Sequence, residues 1–212
     1  MRRSQLRGRA HPDEDRGVPG NEDDRRVRPL RVLDPHSHLD CIGSLEWIDA
    51  RENLCLVGQV GTGKSHLLVA LGVAAVQAGH RVRDYTAAEL VETLYRGLAD
   101  NSVGKVLDTL LRNDLIMVDE VGFAPLDDTG AQLLFRFVAA AYERQALGIA
   151  SHWPFESWGR FLPEHNTAVS LLDRLLHYAN VVVTEGDSYR MREARTKGGT
   201  RLNKPDNPRG GD

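Results

Sequence analysis

The chain of 212 residues has only two cysteines and no long apolar run, and each shortage excludes a class of protein. Cys55 lies within a short apolar stretch, which is typical of a buried free thiol. The spacing between Cys41 and Cys55 matches no recognisable disulfide or metal-binding motif. No apolar run approaches the roughly 20 residues that cross a bilayer, and the arginine-rich start lacks the apolar centre of a secretory signal. We therefore expect a cytoplasmic protein that does not enter a membrane.

The composition is that of one globular domain with polar ends. Hydrophobic residues make up 41% and charged residues 27% of the chain, and the net charge of −3 gives no overall attraction to nucleic acid. Residues 1–40 are predicted to be a disordered or atypical leader, residues 41–196 the folded domain, and residues 197–212 a polar tail. Basic residues near the end form either a phosphate-contacting patch or a solvated tail: Arg190, Arg192, Arg195, Lys197 and Arg201.

Short apolar segments alternate with segments of helical periodicity along the middle of the chain. Strands are predicted at residues 54–57, 81–85, 115–118, 147–151 and 181–184, and helices at 65–78, 86–101, 103–112, 129–144 and 167–178. This alternation indicates an α/β protein with a parallel sheet covered by helices on both faces. Ligand sites are then expected beyond the carboxyl ends of the strands.

A glycine-rich loop follows the first of these strands and opens the first long helix. It has the spacing Gly, four residues, Gly-Lys-Ser of a phosphate-binding loop, and the strand and helix that this motif requires flank it. Its backbone N–H groups and the positive end of the helix dipole favour phosphate, which predicts ATP as the ligand. The predicted nucleotide-binding residues are Gly58, Gln59, Val60, Gly61, Thr62, Gly63, Lys64, Ser65 and His66.

Two carboxylates end the strand at residues 115–118, as in a Walker B element. Asp119 is expected to serve Mg²⁺ together with the Ser65 hydroxyl, and Glu120 to orient the attacking water. Lys64 would contact the β- and γ-phosphates, so Lys64 and Glu120 are the residues on which turnover should depend. An acidic residue after Asp119 favours hydrolysis over phosphotransfer, and no arginine-rich lid of a small-molecule kinase is recognisable.

Three further features leave alternatives open. His152 follows a predicted strand, where it is either a γ-phosphate sensor or a surface histidine. Arg174 interrupts an apolar helix, where it is either solvated or a finger that reaches the nucleotide of a neighbouring subunit. The aromatic cluster Trp153, Phe155, Trp158 and Phe161 favours core or interface packing over stacking on bases.

Four segments, at residues 58–65, 118–126, 153–159 and 172–177, together resemble the IstB-like ATP-binding proteins, the helper ATPases of bacterial insertion sequences. The similarity covers about residues 45–195, and the family is similar to the DnaC helicase loaders of the AAA+ class. The resemblance implies an αβα sandwich with a five-stranded parallel sheet. It also implies that Arg174 is the finger acting in trans, and that His152 stands where relatives usually have asparagine.

The same resemblance implies the biological role. Members of this family use ATP to assemble as homo-oligomers on double-stranded DNA without sequence preference and to stimulate a cognate transposase. Two alternatives remain at this point: a DnaC-like helicase loader, and a nucleotide-binding assembly module with little hydrolysis. The second alternative is motivated by His152 and by an N-terminal region unlike the helical segment of relatives.

Overall fold

The computed structural model describes residues 31–32, 40–163, 165–186 and 188. Its centre is a sheet of six parallel strands in the order β1-β6-β2-β5-β4-β3. The strands are β1 (Arg31–Val32), β2 (Asn53–Gly58), β3 (Val82–Thr86), β4 (Leu115–Val121), β5 (Ala146–Ser151) and β6 (Ala179–Thr184). The helices are α1 (Glu46–Asp49), α2 (Lys64–Gln77), α3 (Ala87–Ala99), α4 (Val103–Leu110), α5 (Asp128–Ala141) and α6 (His165–Leu176), with a 3₁₀ helix at Phe155–Arg160.

The two faces of the sheet are covered unequally. Helices α3 to α6 and the 3₁₀ helix pack on one face, around fully buried residues such as Leu94, Phe137 and Trp158. The other face is covered by α2 and by residues 42–48, where Ile42 and Trp47 are buried. Burial of large apolar side chains against both faces is the main contribution to the stability of the sheet.

The expected αβα architecture is confirmed, and so are its five long parallel strands. The helix after β3 begins as its sequence predicts, because the Thr86 hydroxyl accepts from the Glu89 N–H at 3.2 Å and the Glu89 carboxylate accepts from the Thr86 N–H at 2.8 Å. This capping box satisfies two backbone donors that the helix itself leaves unpaired.

The structure differs from expectation at the amino-terminal side. Arg31 and Val32, which the sequence analysis places in the leader, pair with Asn180 and Val181 of β6. Ile42, Leu45, Trp47 and Ile48, which lie within the predicted folded domain, are buried ahead of its first long strand. Leader residues 1–30 and 33–39, the whole predicted tail at residues 197–212 and the basic residues from Arg190 to Arg201 lie outside the described residues.

No helix in the described part of the chain is both long and apolar enough to span a bilayer.

Candidate nucleotide site at the carboxyl edge of the sheet

Three neighbouring strands bring the predicted site residues to one edge of the sheet. β5 lies between β2 and β4, with Val57 and Val121 both in register with Ser151. Because all three strands are parallel, the loop after β2, the histidine after β5 and the carboxylates at the end of β4 meet at their carboxyl ends. The edge corresponds to the position expected for a ligand.

The loop between β2 and α2 has backbone angles that favour glycine. Gly61 and Gly63 have φ of 86° and 92°, in the left-handed region. Gly58 has a φ of 155° and also has no room for a side chain, because an added Cβ would lie 2.1 Å from the Thr184 carbonyl oxygen. The Thr62 hydroxyl donates to the Gln59 carbonyl at 2.8 Å and lies 2.7 Å from the Thr184 hydroxyl, which fixes the loop to β6.

Lys64 is the first residue of α2, and its side chain turns back across the loop. Its amine donates to the Gly58 and Gln59 carbonyl oxygens, both at 2.7 Å. Burial lowers the pKa of the Lys64 amine below its ordinary value, while the nearby Asp119 carboxylate acts in the opposite direction. The amine is thus held inside the curl of the loop, next to the end of β4.

The remaining loop residues surround that amine with exposed groups. The side chains of Gln59, Val60, Ser65 and His66 are exposed, and Val60 is 66% accessible. Ser65 and His66 lie in the first turn of α2, where the backbone N–H groups have no partner within the helix. A curled loop with one buried amine and a helix amino terminus fits the phosphates of a nucleotide.

The carboxylates of β4 lie on the other side of β5. Asp119 is half-buried, and its Oδ1 accepts from the Glu120 N–H at 2.7 Å. Glu120 is exposed and has a φ of 59°, a left-handed backbone that costs a non-glycine residue about 1–2 kcal/mol. Asp119 still pairs with Thr86 of β3, and its charge is close enough to Lys64 to act on the pKa of that amine.

A magnesium ion is chemically compatible with the groups present. Among residues the structure describes, no cluster of three His, Cys, Asp or Glu side chains could hold a metal ion. Mg²⁺ in nucleotide sites is held through one or two protein oxygens together with substrate phosphates, so it needs no such cluster. The Ser65 hydroxyl, after β2, and the Asp119 carboxylate, in β4, are oxygen ligands of the kind that Mg²⁺ requires.

His152 lies at the same edge, directly after β5. Its ring centroid is 4.9 Å from that of Trp153 and 6.4 Å from that of Phe123. Burial and the positive charge of Lys64 lower the pKa of His152 below its ordinary value, which favours the neutral imidazole. A neutral imidazole can donate one hydrogen bond at this edge.

Arg174 is not part of this edge. It lies in the last turn of α6, where its guanidinium donates to the Ser170 carbonyl at 3.0 Å and stacks 4.9 Å from the Phe135 ring centroid. The neighbouring Leu175 carbonyl accepts from the Asn53 amide, and Asn53 is the first residue of β2. Arg174 therefore lies near the amino ends of the strands, opposite the site in its own chain.

Two residues that support the candidate site belong to no nucleotide-binding motif. Thr184 ends β6 in register with Gly58 and supports the loop, and a polar residue at the carboxyl end of a strand is the signal that could have identified it. Trp153 joins the loops that follow β4 and β5. Of the aromatic cluster, Trp158 and Phe161 are buried in the core, whereas Trp153 and Phe155 are partly buried and pack against it.

Comparison with known proteins identifies relatives of the whole described domain. Residues 31–197 match the family model for IstB-like ATP binding proteins. The chain is 36% identical over 157 residues to the IS21 putative ATP-binding protein of Pseudomonas aeruginosa, covering 74% of this chain and 59% of that protein. It is 32% identical over 173 residues to the IS5376 putative ATP-binding protein of Geobacillus stearothermophilus, covering 82% and 64%. The chain thus spans about three-fifths of the length of these relatives.

Solved structures show the same fold at low identity. The DnaC helicase loader superposes with a TM-score of 0.53 and 19% identity, over 75% of this chain and 96% of that one. The replication initiator DnaA, solved with AMPPCP and single-stranded DNA, gives a TM-score of 0.57 and 20% identity, over 84% and 58%. These likenesses confirm the AAA+ P-loop fold. The family match over residues 31–197 shows that the chain belongs to the IstB-like ATP-binding protein family.

Proposed function

We propose that the chain binds ATP with Mg²⁺ at the carboxyl edge of the sheet and hydrolyses the nucleotide. The observation that carries the proposal is the loop at residues 58–65, curled around the buried Lys64 amine beside Asp119. An amine held in place before the ligand arrives needs little reorganisation to meet phosphate oxygens. The chain's relatives are named as ATP-binding proteins, which supports ATP as the nucleotide.

The proposed roles follow from position. Lys64 exchanges its two carbonyl partners for phosphate oxygens, and the Ser65 hydroxyl and Asp119 carboxylate hold the magnesium ion. Mg²⁺ supplies neutralisation of charge on the phosphates. Glu120, exposed at the same edge, accepts a hydrogen bond from the attacking water and orients it. The neutral His152 donates a hydrogen bond to the phosphate end of the nucleotide.

Hydrolysis is proposed to require a second copy of the chain. Arg174 lies at the edge opposite the site of its own chain and stacks on Phe135. A guanidinium there can reach a nucleotide only in a neighbouring subunit, where it would stabilise charge on the transferred phosphoryl group. The proposal therefore includes ATP-dependent assembly into homo-oligomers.

The biological role proposed is that of a helper for an insertion-sequence transposase, acting on double-stranded DNA. The relatives are named as insertion-sequence ATP-binding proteins, which favours this role over a helicase loader. The DNA bound in the DnaA structure supports a DNA partner for this fold. A second candidate, an assembly module with little hydrolysis, is favoured by histidine rather than asparagine at position 152.

The test is ATP hydrolysis by the purified chain with and without long duplex DNA, with oligomer size followed in the same samples. Lys64→Ala and Glu120→Gln are the site variants, and Lys105→Ala and Glu46→Gln, at exposed positions in α4 and α1, are the controls. DNA-stimulated turnover lost only in the site variants supports the proposal. ATP-dependent assembly without turnover supports the second candidate. If the chain neither binds ATP nor assembles, both candidates are refuted.

If the neighbouring gene encodes a transposase, partner identity is tested separately with that transposase. Strand transfer by that transposase should increase when the helper and ATP are added, and Lys64→Ala should remove the increase. An unchanged yield of strand transfer would contradict the helper role while leaving the ATPase proposal intact.

A further inference from the structure

The loops that follow β4 and β5 are fastened to each other by one tryptophan. The Trp153 indole N–H donates to the Gly122 carbonyl at 3.0 Å. The Ser151 hydroxyl donates to the Val121 carbonyl at 2.9 Å and accepts from the Trp153 N–H at 3.2 Å. These bonds connect the backbone just after Glu120 to the segment that carries His152.

The same tryptophan also packs closely against the turn that it holds. Gly122 has a φ of 85°, and a Cβ added there would lie 2.7 Å from Trp153 Cδ1 and 2.8 Å from Phe161 Cδ1. The backbone therefore passes directly against the indole edge, which leaves little freedom for the turn to shift. The Arg160 guanidinium lies over the indole ring, 4.8 Å from its centroid.

Glu120 needs such support because its own backbone is unfavourable. Its φ of 59° is maintained by the bond from its N–H to Asp119 Oδ1 at 2.7 Å, and by its carbonyl accepting from the Phe123 N–H at 3.1 Å. Residues in this conformation persist when their surroundings over-determine it. Gly122, between the two ends of that turn, is the residue that Trp153 holds.

We infer that Trp153 is a positioning residue, which fixes the turn at residues 120–123 so that the Glu120 carboxylate stays aimed at the attacking water. The inference rests on the proposed function, since it assigns a task to Trp153 in Glu120-dependent hydrolysis. Trp153 acts through the turn and not on the nucleotide. Loss of its N–H therefore lowers turnover and leaves ATP affinity unchanged.

The experiment compares Trp153→Phe with Trp47→Phe in the full chain. Each substitution removes one indole N–H that donates to a backbone carbonyl at 3.0 Å, but Trp47 bonds to Ile42 on the opposite face of the sheet. kcat, ATP affinity and amide hydrogen exchange of the turn are measured in both variants, with Glu120→Gln as the inactive reference. A lost hydrogen bond corresponds to a change of roughly three- to tenfold in a rate that depends on it.

The expected result is a fall in kcat of about three- to tenfold for Trp153→Phe, with ATP affinity unchanged and faster exchange of the turn amides. Trp47→Phe should change none of these three quantities. If the kcat of Glu120-dependent hydrolysis is equal in the two tryptophan variants, the inference about Trp153 is overturned and the proposed function stands. If the unsubstituted chain hydrolyses ATP no faster than Glu120→Gln, the proposed function fails, and the inference fails with it.

Discussion

Replacing Gly58 by alanine tests whether the loop after β2 is held in one position by β6. A Cβ at this residue would lie 2.1 Å from the Thr184 carbonyl oxygen and 2.4 Å from its hydroxyl, whereas ordinary contacts begin near 3.4 Å. The carbonyl belongs to backbone that is paired in the sheet, so it cannot rotate away as a flexible side chain would. The loop must therefore move by about 1 Å or more, and displacement of that size in a reacting site costs up to about 100-fold in rate.

Gly79→Ala is the matched control. Gly79 follows the end of α2 with a φ of 95°, and an added Cβ there meets no atom within 4 Å. Alanine at Gly79 should cost about 1–2 kcal/mol of unfolding free energy through backbone strain and leave the nucleotide site unchanged.

The assay is titration with a fluorescent ATP analogue, combined with steady-state hydrolysis and thermal unfolding of each variant. We expect Gly58→Ala to lose at least about tenfold in nucleotide affinity or turnover while it still unfolds cooperatively. Gly79→Ala should keep both activities and melt at a lower temperature. Wild-type affinity and turnover in Gly58→Ala would refute the steric reasoning, and so would equal losses of activity in the two variants.

Three further predictions concern stability and pH. Asn53→Ala leaves a buried N–H of β5 and a carbonyl of α6 without partners, so it should lower the free energy of unfolding in urea by about 3 kcal/mol. The control Asn113→Ala loses one partly buried hydrogen bond and should cost about 1 kcal/mol or less. Phe137→Ala, at a fully buried site, should cost about 3–5 kcal/mol, whereas Phe123→Ala, 76% exposed, should cost under about 0.5 kcal/mol; similar melting temperatures would contradict the assigned core. Because the pKa of folded His152 is below 6.5, the unfolded chain takes up this proton first, so the protein loses stability as pH falls below 6.5. His152→Asn should show a smaller drop in melting temperature between pH 7.5 and pH 5.5, and an equal drop would contradict the depressed pKa.

The long elements were predictable because their signals are local. The apolar segments of β2, β4, β5 and β6 are bounded by turn residues, and the capping box at Thr86 marks the start of α3. The amino-terminal part of the domain gave no such signal. The α1 helix has four residues, which is too short for helical periodicity to be recognised, and β1 has two residues that become a strand only by pairing with β6.

The parts of the candidate site that the sequence could indicate are those where a motif lies within one segment of the chain. The loop containing Lys64 and the pair Asp119 and Glu120 are read from consecutive residues, and the structure brings their segments to one edge of the sheet. The supports provided by Trp153 and Thr184 depend on contacts between residues distant in sequence. A single sequence carries no record of such contacts, since the same residue types fit a core or an interface equally well.

The strand order has a consequence for how the protein is made on the ribosome. β2 is the first of the long strands to be synthesised, but its partners in the sheet are β5 and β6, the last two. Pairings between such distant segments form slowly, because a long loop must close before any bond is gained. The loop after β2 also lacks its contact with Thr184 until that residue has emerged. If ATP binds as proposed, a nascent chain stopped short of β6 has an unsupported loop and should not be retained on an ATP resin.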